Sequence, residues 1–135
     1  DGELLLSDQI IVERRIERLR TQLKKGGTKQ IKAANEAELA LFLRLYDQLD
    51  AGVPLRDMAL TPGETKMLRN YGLLTLKPML VVLNVGDEPA GAAMAGLADY
   101  RHRHTTVTAI HGKLEMELAQ LEPDEAAEFL AEYGI

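Results

Sequence analysis

Two stretches at the start of the chain carry apolar residues at helical spacing, with a glycine turn between them. The first stripe consists of Leu5, Val12, Ile16, Leu19 and Leu23, and the second of Ile31, Leu39, Phe42, Tyr46 and Leu49. Most of the intervals are three, four or seven residues, which places each set on one side of a helix. Because Gly26-Gly27-Thr28 interrupts the pattern, it predicts an antiparallel helical hairpin that ends at Gly52-Val53-Pro54.

Short segments of alternating type follow the hairpin. Thr61-Pro62-Gly63-Glu64 has the residues of a capping box with proline at the first helical position, so it predicts a short helix that ends at Gly72. Met79–Leu83 is a continuous apolar run, as in a strand of a parallel sheet that is buried on both faces. Thr105–Ile110 is β-branched at alternate positions and predicts a second strand, with a short helix over residues 89–100 between the two.

This order predicts an α/β fold that is mostly α, with a long helical hairpin followed by a partial domain of about two parallel strands. Acidic helices are predicted after His111-Gly112. We assign residues 1–72 to the helical part and residues 73–135 to the sheet part. Since two strands do not form a stable sheet alone, we expect further structure to complete it.

Composition narrows the classes of function without choosing one. The 135 residues include no cysteine, which excludes disulfides, thiolate zinc sites and cysteine nucleophiles and fits a reducing cytoplasm. The longest apolar run, Met79–Leu83, is far shorter than the roughly 20 residues of a membrane span. We therefore expect a cytoplasmic protein with no membrane partner, and the first residue, Asp1, fits a trimmed or excised fragment.

The net charge of −5 is the sum of a basic segment and an acidic segment at different places in the chain. From Arg14 to Lys32 there are eight bases and one acid, whereas Glu115–Ile135 holds seven acids and no base. The predicted hairpin puts the bases at its tip, which suggests an anionic partner; the alternative is a solvated helix face. The candidate partner-binding residues are Arg14, Arg18, Lys24, Lys25, Lys29 and Lys32.

Asn84-Val85-Gly86-Asp87 leaves the apolar strand at the end where parallel sheets bind ligands. A carboxylate three residues after an amide can accept two N–H groups from a guanine edge, while the amide ties neighbouring loops. A base without those groups would leave the carboxylate unpaired, at a cost of about 1–3 kcal/mol. The spacing is weak alone, because an asparagine and an acid three residues apart occur by chance in many loops.

Segments along nearly the whole chain resemble, in order and in spacing, the YchF (Obg-like) family of P-loop NTPases. The segments are Leu4–Asp8, Val12–Leu19, Gly52–Arg56, Leu60-Thr61, Leu73–Pro78, Asn84-Val85, Lys113–Glu115, Glu117-Leu118 and Glu125–Leu130. The resemblance implies a Rossmann-like P-loop NTPase domain with a coiled-coil insertion, followed by a small β-rich domain. It also implies hydrolysis of ATP or GTP with Mg²⁺ and association with ribosomes.

The resemblance also implies a nucleotide site. By position, Asn84 would contact the purine, Val85 would lie beside it, and the following acid would read its edge. His111-Gly112-Lys113 stands where the family usually has Ser-Ala-Lys, a loop that closes over the base. The implied nucleotide-binding residues are Asn84, Val85, Asp87, Glu88, Gly112 and Lys113.

Two departures from the family pattern leave the choice between GTP and ATP open. The family usually has glutamate at the third position after the asparagine, which goes with a relaxed or adenine-leaning choice. Here Asp87 holds that position and Glu88 follows, so the guanine-type spacing is restored. The lysine that directly follows the asparagine in GTP-specific relatives is replaced by Val85.

These 135 residues contain no G-x-x-x-x-G-K-S/T motif, and Gly26–Lys29 has neither its spacing nor a preceding strand. Such a loop supplies the amides, the lysine and the hydroxyl that hold phosphates and Mg²⁺. We therefore expect Mg²⁺ and GTP or ATP in the intact parent protein. For this chain alone we expect no tight nucleotide binding, no catalytic residue and no hydrolysis.

Three functions are compatible with these patterns. The first is part of a translation-associated NTPase whose basic hairpin tip contacts the ribosome or RNA. The second is a non-catalytic coiled-coil module that binds protein or RNA, and the third is a nucleotide sensor without hydrolysis. The gene sequence upstream of Asp1 separates the first two, since only the first requires a P-loop there.

His102 and His104 could share one face of an extended segment and bind a metal ion. The flanking Arg101 and Arg103 would repel a cation, and no third ligand is close in sequence. We therefore expect a solvated loop and no metal site.

Overall fold

The computed structural model describes residues 2–86 and 90–133. The helices in these ranges are α1 (Gly2–Lys25), α2 (Lys29–Asp50), α3 (Pro62–Leu68), α4 (Ala90–Ala95), α5 (Gly112–Leu118) and α6 (Pro123–Tyr133), and the strands are β1 (Met79–Asn84) and β2 (Thr105–Ile110). The fold is α/β and mostly helical, as predicted. Within these ranges, no helix has both the length and the apolar character needed to cross a membrane.

The chain divides into two compact units. The helical unit is Asp1–Pro78 with His102–His104, and the sheet unit is Met79–Arg101 with Thr105–Ile135. The helical unit extends beyond the hairpin because the segment before β1 packs on α1. All of the side chains that are buried in the described ranges lie within the first 78 residues.

The predicted helical hairpin is confirmed. The chain turns between α1 and α2 at Gly26, whose φ of 79° favours glycine. Thr28 caps α2, because its hydroxyl accepts a hydrogen bond from the N–H of Ile31 at 3.3 Å. At the other end of α2, Gly52 has a φ of 73° and donates its N–H to Leu49 O at 2.9 Å, which ends the helix.

Most of the apolar stripes form the core between α1 and α2. Val12 and Phe42 are fully buried, and so is Leu45, which the stripes did not include. Ile31 is an exception, since its side chain is 54% exposed. It lies in the first turn of α2, beside Gly27 of the glycine turn.

The short helix α3 has the predicted capping box. The Thr61 hydroxyl accepts from the Glu64 N–H at 3.3 Å, and the Glu64 carboxylate accepts from the Thr61 N–H at 2.8 Å. A 3-10 turn over Arg69–Tyr71 follows, and Gly72 ends it with a left-handed φ of 66°. Local sequence therefore determines both ends of this element.

A buried carboxylate holds the segment before β1 against α1. Asp8 is fully buried and accepts from the N–H of Leu74, the N–H of Thr75 and the Thr75 hydroxyl, each at 2.7 Å. Thr75 Oγ1 in turn accepts from the N–H of Leu55 at 3.2 Å. These bonds satisfy a buried charge that would otherwise cost several kcal/mol.

The two strands are parallel, as predicted, and Asn84 lies opposite Ile110 at their carboxyl ends. The expected burial of β1 on both faces is wrong for the described ranges, since Leu80 is 62% exposed and Val82 is 45% exposed. Met79, Val81 and Leu83 on the other face are half-buried. The difference arises because the described sheet has only two strands and nothing described covers one of its faces.

Candidate functional site

The carboxyl ends of β1 and β2 lie side by side and bring two loops together. Asn84 ends β1 and Ile110 ends β2, and the ladder continues one step further because the N–H of Val85 donates to Ile110 O at 2.8 Å. Ligands of open parallel sheets bind at this edge. The loop after β1 therefore begins where the sequence pattern requires it.

A hydrogen bond to the backbone orients the side chain of Asn84. The N–H of Gly112, the first residue of α5, donates to Asn84 Oδ1 at 3.0 Å. A Cβ atom at position 112 would lie 2.7 Å from that oxygen and 3.3 Å from Asn84 Cγ. A larger residue at this position would therefore require the Asn84 amide to shift, because real Cβ atoms essentially never lie within 3.0 Å of another atom.

A contact of the His111 side chain also connects the loops that follow β1 and β2. Its Nδ1 lies 2.7 Å from Gly86 O. A carbonyl oxygen only accepts hydrogen bonds, so Nδ1 carries the hydrogen and donates it. Sequence reasoning named His111 as part of the loop after β2 but not as a site residue. In the sequence, the only indication of this role was a histidine, whose ring can donate a hydrogen bond, next to a glycine.

The other predicted nucleotide residues fall into two groups. Asp87 and Glu88 lie outside the described residues. Lys113 is described, but its side chain is 74% exposed, and its Nζ lies 3.8 Å from Glu117 Oε1, one turn along α5. The described part of the site therefore brings together Asn84, Val85 and Gly112, while Lys113 forms a surface ion pair.

The predicted basic residues line the tip of the hairpin and the adjoining half of α1. Arg14, Arg18, Lys24, Lys25, Lys29 and Lys32 are all exposed. Lys32 lies 4.0 Å from Glu36 on the same helix, a weak pair at the surface. With a rise of about 1.5 Å per residue, the basic surface extends about 16 Å along α1 from Lys25 to Arg14. Such a surface attracts polyanions.

A neighbouring base of the same stretch has a structural role instead. Arg15 Nε and Nη2 donate to the two carboxylate oxygens of Glu38, each at 2.8 Å. The Tyr71 hydroxyl donates to the same carboxylate at 2.5 Å, and its ring stacks edge-on against Phe42. The hydrogen bonds from Arg15 lower the pKa of Glu38, and those to Glu38 raise the pKa of Arg15. This cluster joins α1, α2 and the turn after α3.

The expectation of a solvated loop is wrong for His102. Its Nδ1 lies 2.7 Å from Asp57 Oδ2, and the N–H of Arg103 donates to Asp57 Oδ1 at 2.7 Å. Burial opposes ionisation of Asp57, but these hydrogen bonds outweigh it and lower its pKa. His104 has a φ of 53°, which is rare outside glycine. In the parts of the chain described, no three His, Asp or Glu side chains come together as metal ligands.

A groove of about 450 Å³ lies on the helical hairpin. It is lined by Glu13, Ile16, Glu17, Arg20, Leu43 and Tyr46. Of the predicted nucleotide residues that the structure describes, none lines it. The lining combines acids, a base and apolar side chains, so the groove alone indicates no ligand class.

Comparison with known proteins gives one consistent result. No protein-family model matches the chain. The ribosome-binding ATPase YchF of Bacillus subtilis is 32% identical over 98% of this chain and 37% of its own length. YchF of Escherichia coli O157:H7 is 30% identical over 98% of the chain and 36% of its own. Obg-like ATPase 1 of Oryza sativa subsp. indica is 26% identical over 98% of the chain.

A solved structure supports the same fold. The YchF GTPase of Schizosaccharomyces pombe superposes with a TM-score of 0.82 over 98% of this chain and 37% of its own, at 22% identity. This chain thus spans little more than a third of the length of the relatives it matches. The predicted architecture is confirmed, including the hairpin ahead of the parallel strands.

Proposed function

We propose that, in this member of the YchF and Obg-like ATPase family, the loops after β1 and β2 form one side of an ATP or GTP site. These loops would recognise the base. The protein as a whole would hydrolyse a nucleoside triphosphate with Mg²⁺ in the cytoplasm, in association with ribosomes. The observation that carries the proposal is the 3.0 Å hydrogen bond from the N–H of Gly112 to Asn84 Oδ1.

That hydrogen bond decides which end of the Asn84 amide is left for a ligand. Since a backbone N–H only donates, the amide oxygen faces Gly112 and the NH₂ group points elsewhere. The NH₂ group then donates to an acceptor, such as a ring nitrogen or a carbonyl oxygen of a purine. Asp87, three residues later, would accept the N–H groups of a guanine edge, and Glu88 is the alternative acid.

We limit the proposal for this chain to recognition of the purine base. Asn84 and Val85 present polar groups at the exposed end of a strand. No cluster of three His, Asp or Glu side chains occurs in residues 2–86 and 90–133. Binding of phosphates and Mg²⁺ requires the amides, lysine and hydroxyl of a G-x-x-x-x-G-K-S/T motif, which these 135 residues do not contain, so we propose no catalytic residue among them.

Calorimetry with GDP and ADP on the full-length protein encoded by the gene tests the nucleotide site. Asn84→Ala removes the oriented amide and should weaken binding about tenfold or more, since one good hydrogen bond is worth roughly 1.4 kcal/mol in such sites. Asn70→Ala, at an exposed position in the turn after α3, is the matched control and should bind as the parent does.

Unchanged binding after Asn84→Ala, or equal losses of affinity in the two variants, would show that this loop is not part of the nucleotide site. The 135-residue chain alone should bind neither nucleotide measurably, because helix and loop amides that hold phosphates dominate affinity at such sites. Tight binding by the isolated chain would favour the sensor hypothesis instead.

We propose the hairpin tip as the ribosome-facing surface. Its support is the set of exposed bases at one end of the helical unit. The relatives are named ribosome-binding ATPases, and an RNA-rich partner suits such a surface. Neutralising several phosphates makes binding steeply dependent on salt. The competing role is a non-catalytic module that binds another protein through the hairpin.

Charge reversal tests the hairpin tip. Changing Arg18, Lys24, Lys25 and Lys29 to glutamate should abolish co-sedimentation with ribosomes at moderate salt and leave nucleotide binding unchanged. Reversal of Lys66, Arg69 and Lys77, which are exposed bases outside the hairpin, is the control and should have little effect. Co-sedimentation that survives the first reversal would exclude the tip as the contact surface.

A further inference from the structure

Besides the groove on the hairpin, the helical unit contains a cavity of about 340 Å³, formed largely by the segment between α2 and α3. Its apolar wall consists of Leu55, Met58, Leu60 and Leu76, and its basic side chains are those of Arg56, Arg103 and His104. No aspartate or glutamate is among the described residues that line it. In a protein with a net charge of −5, a cavity whose ionisable side chains are all bases indicates an anionic ligand.

Arg56 is held in a fixed position in the wall of this cavity. It is only 3% exposed, its backbone N–H donates to Thr75 O at 2.9 Å, and its Nη1 donates to the same oxygen at 3.4 Å. Thr75 is in turn held by the buried carboxylate of Asp8. A guanidinium keeps its charge at physiological pH and has five N–H donors in a planar fork that matches a carboxylate. The cavity therefore contains a permanent cation whose position is set before a ligand arrives.

Arg103 and His104 both line this cavity although they are neighbours in the chain. Consecutive side chains of an extended backbone point to opposite sides. His104 instead has a left-handed φ of 53°, and this bend allows the two side chains to line one cavity. The N–H of Arg103 anchors the bend, because it donates to Asp57 Oδ1 at 2.7 Å. Backbone strain of this kind is concentrated at binding sites.

Asp57 is the acid that follows Arg56 in the chain, and its charge partly offsets the charge of that arginine. Asp57 is not among the residues that line the cavity. One of its carboxylate oxygens accepts from the N–H of Arg103, and the other lies 2.7 Å from His102 Nδ1. Since two arginines line the cavity, they outweigh this single carboxylate, and the potential in the cavity stays positive.

We propose that this cavity binds a small carboxylate with an apolar chain. The carboxylate pairs with the guanidinium groups of Arg56 and Arg103, and the chain packs on the apolar wall. Inorganic phosphate would engage the bases but leave that wall uncovered, and a neutral alkyl chain would leave the bases without an anion. The volume of about 340 Å³ lies near the lower end of the range of about 300–1,000 Å³ for small-molecule sites, so the ligand is small.

An NMR titration of the full-length protein encoded by the gene with hexanoate tests the proposal, with ¹³C-labelled methionine methyl groups as reporters. Met58 lies in the apolar wall, so hexanoate should shift its methyl resonance until the site is saturated. The variant Met58→Leu identifies that resonance by its loss. Hexan-1-ol, which has the same chain without the charge, should bind at least about tenfold more weakly, the worth of one charge-assisted hydrogen bond. The exposed Met116 of α5 is the internal control and should not shift.

The variant that tests the basic side of the cavity is Arg103→Gln. It removes the charge and keeps the backbone N–H that donates to Asp57, so the loop retains its anchor. The affinity for hexanoate should fall about tenfold, whereas the affinity for hexan-1-ol should change less than about twofold. Arg101→Gln is the matched control, because Arg101 is exposed and is not a lining residue, and it should bind hexanoate as the parent does. Arg103 is a better target than Arg56, which is buried and also bonded to Thr75 O.

Three results would each overturn the carboxylate site. They are the absence of a saturable shift at Met58, equal affinities for hexanoate and hexan-1-ol, and full hexanoate binding by Arg103→Gln. The proposal does not rest on the nucleotide site, because none of the described nucleotide residues lines this cavity. Asn84→Ala should therefore bind hexanoate as the parent does, so the two proposals can fail separately.

Discussion

The helical unit and the sheet unit differ in what holds their side chains in place. In the helical unit ten apolar side chains are buried, and one of its carboxylates, Asp8, is fully buried with three donors around it. In the sheet unit no described side chain is buried, and Leu80, Val82 and Ile110 are exposed. Its best-defined contacts are hydrogen bonds between the loops at the carboxyl ends of the strands.

The comparison shows what determines the structure of each unit. The hairpin is determined by its own interior, because packing and satisfied buried polar groups allow few alternatives. The sheet has the edge that a ligand site needs, but none of the described residues covers one of its apolar faces, and parallel sheets are normally covered on both. Substitutions should therefore have large effects in the first unit and small effects on stability in the second.

The largest expected effect is Phe42→Ala. Phe42 is fully buried between α1 and α2, so its removal should lower the free energy of unfolding of the helical unit by about 3–5 kcal/mol. Leu80→Ala in the sheet unit is the contrasting variant, since a side chain that is 62% exposed should contribute less than about 0.5 kcal/mol. Urea denaturation followed by circular dichroism measures both. A large loss in Leu80→Ala would mean that this sheet face is covered in solution.

A smaller loss is expected from Asp8→Ala. The substitution leaves the N–H groups of Leu74 and Thr75 without their acceptor in a buried place, which should cost about 3 kcal/mol. Asp50→Ala is the control, because Asp50 is exposed and the hydrogen bond that it accepts from Gln9 is long at 3.4 Å. Urea denaturation of the two variants gives the difference, and equal stabilities would contradict the assigned role of Asp8.

The smallest expected effect is a pH dependence at Glu38. Its pKa is lowered in the folded protein, chiefly by the hydrogen bonds from Arg15, so the unfolded chain binds the proton more tightly. The resulting stability is present above the ordinary glutamate pKa of about 4.3 and is lost as the pH falls below it. Because the group is partly exposed, we expect about 1 kcal/mol.

Glu38→Gln isolates this contribution. In that variant the fall in stability between pH 5 and pH 3 should be smaller than in the parent by about 1 kcal/mol, the contribution of Glu38. Glu36→Gln is the matched control. Glu36 lies on the same helix, and its partner Lys32, one turn before it, is 4.0 Å away. If the two variants show the same pH profile as the parent, Arg15 and Glu38 do not stabilise the fold in solution.

Patterns within short stretches predicted most of the architecture. Apolar residues at helical spacing predicted the hairpin, and Thr61 with Glu64 predicted the start of α3 through a capping box that the structure contains. Two apolar or β-branched runs predicted the parallel pair of strands. In each case the pattern that predicts the element lies within a few residues or repeats at a fixed interval, so the linear sequence contains it.

The contacts that shape the candidate site depend on residues far apart in the chain. His111 was not predicted to hold Gly86, which lies 25 positions earlier, and His102 was not predicted to bind Asp57, which lies 45 positions earlier. Residue type alone does not reveal such partners, because many polar side chains are chemically able to form each bond.

The amino-acid sequence by itself determined the order and type of the elements, the basic hairpin tip and the position of Asn84 after a strand. Only the tertiary structure decided that Asn84 is turned by Gly112, that His111 holds the same loop, and that Asp8 anchors the segment before β1. The physical reason is that helix and strand formation follow from local spacing and capping. The orientation of a polar side chain depends on which distant donor or acceptor the fold brings within about 3 Å.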